Sequence, residues 1–194
     1  MGNFRNLTNQ ELLRIEKQGC KSDNWNNVFV ADEFNTDSVF NSTFTGTVYL
    51  GKFSELIDFA GGVKKNTGIY NAHLHNCIVG DQVYINNIRN YIANYEISDH
   101  VIIENVDLIL LEGNSTFGNG TLVDVLDETG GRQLMIYDRL SAPLAYIMAF
   151  YRHRDHLPES IESMIKKYSE DMRSSTGYIG AYSKILNCSQ ITNV

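Results

Sequence analysis

Aliphatic side chains recur in this chain at intervals of eighteen residues, and that recurrence constrains its fold more than any other property. Leu74 aligns with Ile92 and again with Leu110, Val79 with Ile97, Val83 with Val101, Ile85 with Ile103, and Ile88 with Val106. Polar positions keep the same spacing: Asn76 with Asn94, Asp81 with Asp99, and Asn87 with Asn105. The period subdivides into sixes, each opening on a large aliphatic, as in Val79-Gly80-Asp81-Gln82-Val83-Tyr84. Six residues make one short strand and a turn, and three such sides close a coil. Successive coils then stack about 4.8 Å apart through parallel-sheet hydrogen bonds. No coil can bury its inner face alone, so neighbouring coils supply the core. A β-sandwich has no reason to hold this register.

The turns demand backbone of the left-handed kind. Among 194 residues there are 20 Asn and 15 Gly but only 2 Pro, the mix expected where many tight corners join short strands. The rhythm appears early at Phe44, Val48 and Leu50-Gly51, and late at Ile179-Gly180, Ile185 and Ile191. Residues 28–114 are therefore expected to form coils, and 178–194 to resume them. The last coil breaks off at Val194, and a solenoid ordinarily ends in a cap. This leads us to expect a fragment of a longer protein, or a truncated product that relies on association to cover its last coil.

Three segments depart from the period. Residues 1–20 read as a capping helix, with Thr8 and Glu11 as a capping box, Leu12 and Ile15 on one face, and Gly19 as the stop. Lys52 to Thr67, containing Gly61-Gly62, reads as a loop or short helix between coils. The largest interruption, residues 115–177, opens with two strand-like runs around Asp127-Glu128-Thr129-Gly130-Gly131, a hairpin signal. Two helices are expected next. One carries Leu144, Ile147, Met148 and Tyr151 after a Ser141 cap; the other carries Ile161, Met164, Ile165, Tyr168 and Met172 after Pro158. Such stripes are read as packing faces.

Charge and composition exclude several classes of function. With 16 Lys and Arg against 23 Asp and Glu, the net charge is −7, which opposes nucleic-acid binding over the whole surface. The apolar runs are too short to span a bilayer. Three cysteines, Cys20, Cys77 and Cys188, are too scattered for a disulfide framework or a zinc site. With no visible secretory signal, a cytoplasmic protein without metal or cofactor is expected.

The repeat resembles that of the hexapeptide-repeat superfamily, which implies a left-handed parallel β-helix, here with an amino-terminal helix and an inserted hairpin plus helical pair. Handedness comes from that resemblance alone. More specifically, Gly118-Asn119-Gly120, Val125 through Arg132, Tyr137-Asp138-Arg139-Leu140 and Tyr151-Arg152-His153-Arg154 resemble an uncharacterised bacterial family known as a domain of unknown function. The superfamily resemblance implies a trimer and a transferase-type module handling a sugar-nucleotide or acyl-CoA donor. The alternative class is a non-catalytic oligomerising scaffold, or a ligand-binding module, of a longer protein. The Gly-rich loop and βαβ alternation of a nucleotide-binding domain are absent from the sequence.

Acyltransferases of the superfamily employ a histidine as general base between subunits. On that implication His75 is the first candidate and His100 the second, although no protruding loop follows either. Solvated surface histidines are the plainer explanation. His73 and His75 share a strand face, but His100 falls in the column of Gln82, so no three-histidine metal site is expected. Arg152, His153 and Arg154, with Arg132 at the hairpin, form a local positive cluster that could hold a phosphate or other anion. Favourable charge at the carboxyl end of the first inserted helix is the plainer explanation of the three helix-end residues, and a hairpin-tip salt bridge with Glu128 explains Arg132 equally well.

Overall fold

The computed structural model of the chain describes residues 3–125, 133–154 and 156–194. They divide into two compact units. The first comprises Met1–Glu112 with Thr176–Asn193, and the second Gly113–Ser175 with Val194.

The first unit begins with a closed edge. Helix α1 (Asn9–Lys17) starts at Thr8, whose hydroxyl accepts from the Glu11 N–H while the Glu11 carboxylate accepts from the Thr8 N–H. Both orphan donors are thereby satisfied. Arg5 grips the same carboxylate with two hydrogen bonds of 2.8 and 2.7 Å. These, led by the Arg5 guanidinium and aided by Thr8, outweigh burial and hold the Glu11 carboxyl down to about 2. Ile15 is fully buried, and Gly19 at φ 83° ends the helix. Just before α1, Phe4–Asn6 lies antiparallel to Val28–Ala31, with Phe4 opposite Ala31. No alternation marks this three-residue strand in the sequence.

All further pairing between the two large sheets' strands is parallel. One sheet orders Phe4–Asn6, Val28–Ala31, Val48–Leu50, Ile78–Val79, Tyr95–Ile97 and Gly177–Ile179 side by side. The other centres on Tyr84–Ala93, which pairs along its length with Ile102–Leu110, from Tyr84 opposite Ile102 to Ala93 opposite Leu110. One irregularity falls between Ile88 and Tyr91. His73–His75 then pairs with Tyr84–Ala93 on one side and Thr43–Thr45 on the other. Inward positions carry the aliphatic columns. Leu50, Val79 and Ile97 stack in one, Ile69, Ile85 and Ile103 in another, all at most 1% exposed. Val83 and Val101 occupy the same place in neighbouring rungs, where the Tyr84 N–H donates to the Val101 carbonyl at 2.9 Å.

The corners explain the asparagines. Asn41, Asn71, Asn87, Asn105 and Asn187 occupy one column and all have φ between 44° and 57°. Asparagine enters this region at less cost than most L-residues, because its short side chain bonds locally. Here the amides also bond along the column: Asn41 donates to Asn71 at 2.8 Å, Asn87 to Asn105 at 2.7 Å, and Asn105 to Asn187 at 3.1 Å. The sequence separation within these pairs is 30, 18 and 82 residues. Insertions lengthen the chain between rungs without disturbing the stack.

The shorter insertion is neither loop nor helix in the main. Leu56–Asp58 and Lys64–Asn66 form an antiparallel hairpin, with Leu56 opposite Asn66, turned by Gly61 and Gly62 at φ 77° and 78°. Two consecutive glycines with positive φ favour chain reversal over helix. The longer insertion is the second unit. Thr121–Asp124 pairs antiparallel with Gln133–Ile136, followed by helices α2 (Ala142–Phe150) and α3 (Leu157–Met172). The expected turn at Asp127–Gly131 lies outside the described residues. Leu134, Met135, Met148 and Ile165 form the core here. The expected stripe on α2 splits. Leu144 and Met148 pack inward, whereas Ile147 and Tyr151 are 37% and 40% exposed.

Candidate functional site

The outer face of strand His73–His75 joins two histidines, a threonine hydroxyl and an asparagine amide through hydrogen bonds. Residues two apart on a strand point to the same side, so His73 and His75 both meet Thr45 of the neighbouring rung. The Thr45 hydroxyl lies 2.9 Å from His73 Nε2 and 2.9 Å from His75 Nδ1. Asn76 holds His75 from behind, with Nδ2 3.0 Å from Nε2.

The direction of the protons follows from the backbone. The Thr47 N–H donates to Asn76 Oδ1 at 3.0 Å, which makes Asn76 Nδ2 the donor toward His75. A neutral His75 must then carry its proton on Nδ1 and give it to the Thr45 oxygen. The Thr45 O–H is left to donate to His73 Nε2. Thus His73 terminates the relay as proton acceptor. Partial burial, then the neighbouring His75, lowers its affinity for a proton, against an opposing pull from Asp23. Chemically, the arrangement can polarise one hydroxyl toward one imidazole. Sequence reasoning singled out His75 and passed over His73 as base, and Thr45 altogether. The only available signal was the Thr43–Thr45 segment, 30 residues upstream of the histidine strand.

His100 lies elsewhere. It occupies a corner with φ 57°, its ring stacked on Tyr182 at 4.8 Å and 3° between planes. Glu55 Oε2 stands 3.8 Å from its Nδ1. His75 and His100 thus belong to different sides of the stack, as their separate columns require. Among the described residues no group of three histidine, cysteine or acidic side chains is placed to hold a metal ion.

The basic residues belong to the second unit. Arg152 turns its guanidinium back on the protein, donating from Nε to the Met148 carbonyl at 3.2 Å and from Nη2 to the Val125 carbonyl at 3.3 Å. His153 and Arg154 are exposed, and the His153 ring stacks on Tyr151 at 6.1 Å. Arg132 lies outside the described residues. A cavity of about 290 Å³ opens beside Arg152 between Gln133–Ile136, α2 and the start of α3. Its walls include Leu134, Met148 and Ile161, with Glu159 and Glu162 beside Arg152.

The local sequence of the second unit and the ladder of the first find one match together. Residues 4–194 match a family described as "Domain of unknown function (DUF4954)". The chain belongs to this family. A similar protein, an uncharacterised protein of Treponema pallidum (strain Nichols), shares 29% identity over 202 residues. That alignment covers 98% of the DUF4954 chain but 28% of the relative, so the chain spans little more than a quarter of the relative's length. No solved structure matches it. No helix among the described residues is long and apolar enough to cross a membrane.

Proposed function

We propose that the DUF4954 chain is a non-catalytic scaffold module, its rungs wound as a left-handed β-helix. The carrying observation is where the outward polar groups are spent. His100 stacks on the next rung's Tyr182, His75 is bonded at both ring nitrogens, and five asparagines bond or align along one corner. Groups held this way stabilise neighbouring rungs. The parallel register and fully buried columns support the winding, and its hand is taken from the hexapeptide-repeat resemblance. Assembly into trimers through flat faces, and residence in the reducing cytoplasm with Cys20, Cys77 and Cys188 as free thiols, complete the proposal.

A thermal-shift series with nucleotide sugars and acyl-CoAs tests it. The scaffold reading expects no saturable rise in Tm with either class; a saturable rise with one of them overturns it. The transferase reading retains one favouring observation, the Thr45 hydroxyl directed at His73. Under it, His73→Gln removes the stabilisation by donor or acceptor. Under the scaffold reading the substitution alters only stability.

A further inference from the structure

The hydrogen bonds around His75 belong to a longer array whose direction is set at both ends by the backbone. At one end the Thr47 N–H donates to Asn76 Oδ1. At the other, Asn94 Nδ2 donates to the Leu111 carbonyl at 2.8 Å, which turns Asn94 Oδ1 toward Asn76 Nδ2, 3.4 Å away. A backbone N–H can only donate and a carbonyl only accept, so neither amide can flip without losing a bond. Asn76 is also seated tightly, since a Cβ on Gly46 would collide with its Oδ1. Between these ends His75 and His73 share Thr45, whose hydroxyl hydrogen turns freely about a single bond.

A proton arriving here meets one place that can yield. The Nε2 lone pair of His75 faces the fixed N–H of Asn76, whereas that of His73 faces the Thr45 O–H, which can swing away. Once His73 Nε2 carries the proton it donates to the Thr45 oxygen, and the Thr45 hydrogen turns outward to water. The new N–H is the only covalent bond formed, and Thr45 keeps its own hydrogen. The hydrogen bond between rungs survives with its direction reversed. The groups facing His73 are His75 on its own strand, Asp23 after Lys21–Ser22, and Tyr91 of Tyr84–Ala93 at 6.2 Å between ring centroids. Lys21, opposite Thr43, stands at the edge of the same side. From His73 toward the last rung the outward positions include Tyr91, Leu108, Leu110 and Gln190, which carry no fixed charge. A proton on His73 therefore changes the character of the whole stretch.

We propose that His73 and Thr45 form a proton switch: uptake at His73 Nε2 converts the Thr45 hydroxyl from donor to acceptor and charges this side of the stack without parting its rungs. The switch goes beyond the scaffold reading and does not rest on it. Imidazole ¹H–¹⁵N spectra of the full chain, recorded from about pH 8 to about pH 4.5 around the ordinary histidine range, provide the test, with His73→Gln and His75→Gln for assignment. At the alkaline end His73 should be found as the Nδ1–H tautomer. As it takes up its proton, the side-chain amide signals of Asn76 should stay in place. Thr45→Val should lower the His73 midpoint by about half a pH unit, because the charge-assisted bond lost from the imidazolium is stronger than the neutral bond lost from the imidazole. The same variant should let the Nε2–H tautomer appear at the alkaline end. Thr45→Ser, which keeps the hydroxyl, should restore both properties. A midpoint raised in Thr45→Val overturns the proposal, since the hydroxyl then acts as a fixed donor, and an unmoved midpoint overturns it as well. So does a wild-type His73 that carries its proton on Nε2 at the alkaline end, or that stays neutral to the acid end. Asn76 signals that move with the His73 titration also overturn it, because the array then yields at the amide and not at the hydroxyl.

Discussion

The two units of this chain bury apolar side chains by different means. In the first, each inward side chain sits on the equivalent side chain of the next rung, and whole columns such as Val79–Ile97 and Ile85–Ile103 are sealed. In the second, Leu134, Met135, Met148 and Ile165 form the buried cluster among the described residues, and the aromatic side chains of α2 remain in water. A repeated rung supplies its own cover, because each copy presents the surface its neighbour needs. A hairpin with two helices has no such copy, and part of its apolar surface stays exposed.

The largest test of that difference is a matched pair of truncations. Ile103→Ala should cost about 2–5 kcal/mol, since it opens a cavity between two sealed rungs. Its effect should appear as a lowered urea midpoint in the fluorescence of Trp25, the only tryptophan, which lies in the first unit. Met148→Ala should cost about 2 kcal/mol, near the lower end of the same range. It should move the helical circular-dichroism transition while leaving the Trp25 midpoint in place. A common shift of both probes would mean that the units unfold as one, and the contrast drawn above would fail.

Substitution at a corner separates backbone from side chain. Asn105→Ala loses amide bonds to both Asn87 and Asn187 and places alanine at φ 56°. A loss of about 1–2 kcal/mol is expected. Asn105→Gly relieves the backbone but not the amides, so its urea midpoint should fall between those of wild type and alanine variant. Equal midpoints for the two variants would assign the entire effect to the amides.

Acid should act on the first unit in two stages. His73 binds its proton less readily folded than unfolded, chiefly through burial and then through His75. Its contribution is therefore complete above the ordinary 6.5 and declines as pH falls through the lower folded value. His73→Gln should flatten that part of the Tm–pH curve. Glu11 acts later: its carboxyl is lowered from 4.5 to about 2, so the contribution present above 4.5 disappears as pH falls toward 2. Glu11→Gln should lower Tm at neutral pH and remove the second stage. An unchanged slope in either variant would remove that group from the account.

The smallest effect belongs to the second unit's surface. Lys166→Ala breaks a 3.7 Å pair with Glu162 in which both partners are largely solvated, and should change stability by no more than about 0.5 kcal/mol. A larger loss would show that α3 depends on its charges more than on Ile165.

Rung pairing was legible wherever the chain ran without insertion. Leu74 opposite Ile92 and Val79 opposite Ile97 can be read from spacing alone, because an unbroken repeat converts sequence distance directly into register. The same reading stops at Thr45 and His73, since the inserted hairpin moves their contact 28 residues apart and hides the hydroxyl from any search by period. It also misassigned Lys52–Thr67, where a pair of glycines was compatible with several short structures and only cross-strand pairing with Lys64–Asn66 selected one. On α2, spacing identified a side to bury without revealing that Ile147 and Tyr151 would not be covered.

What the sequence by itself determined is the repeating unit. An aliphatic returning at fixed intervals, with Asn or Gly where the backbone must turn, leaves few ways to bury one face and satisfy the peptide groups. What only the tertiary structure decided is which polar groups meet across rungs and which apolar ones remain uncovered. His73 acquires its role from a threonine far away in sequence, and the aromatic side chains of α2 acquire their exposure from the side on which Leu134 and Ile165 happen to pack. Periodicity is a local property and survives in the linear order of residues. Contact and exposure depend on where distant segments come to rest.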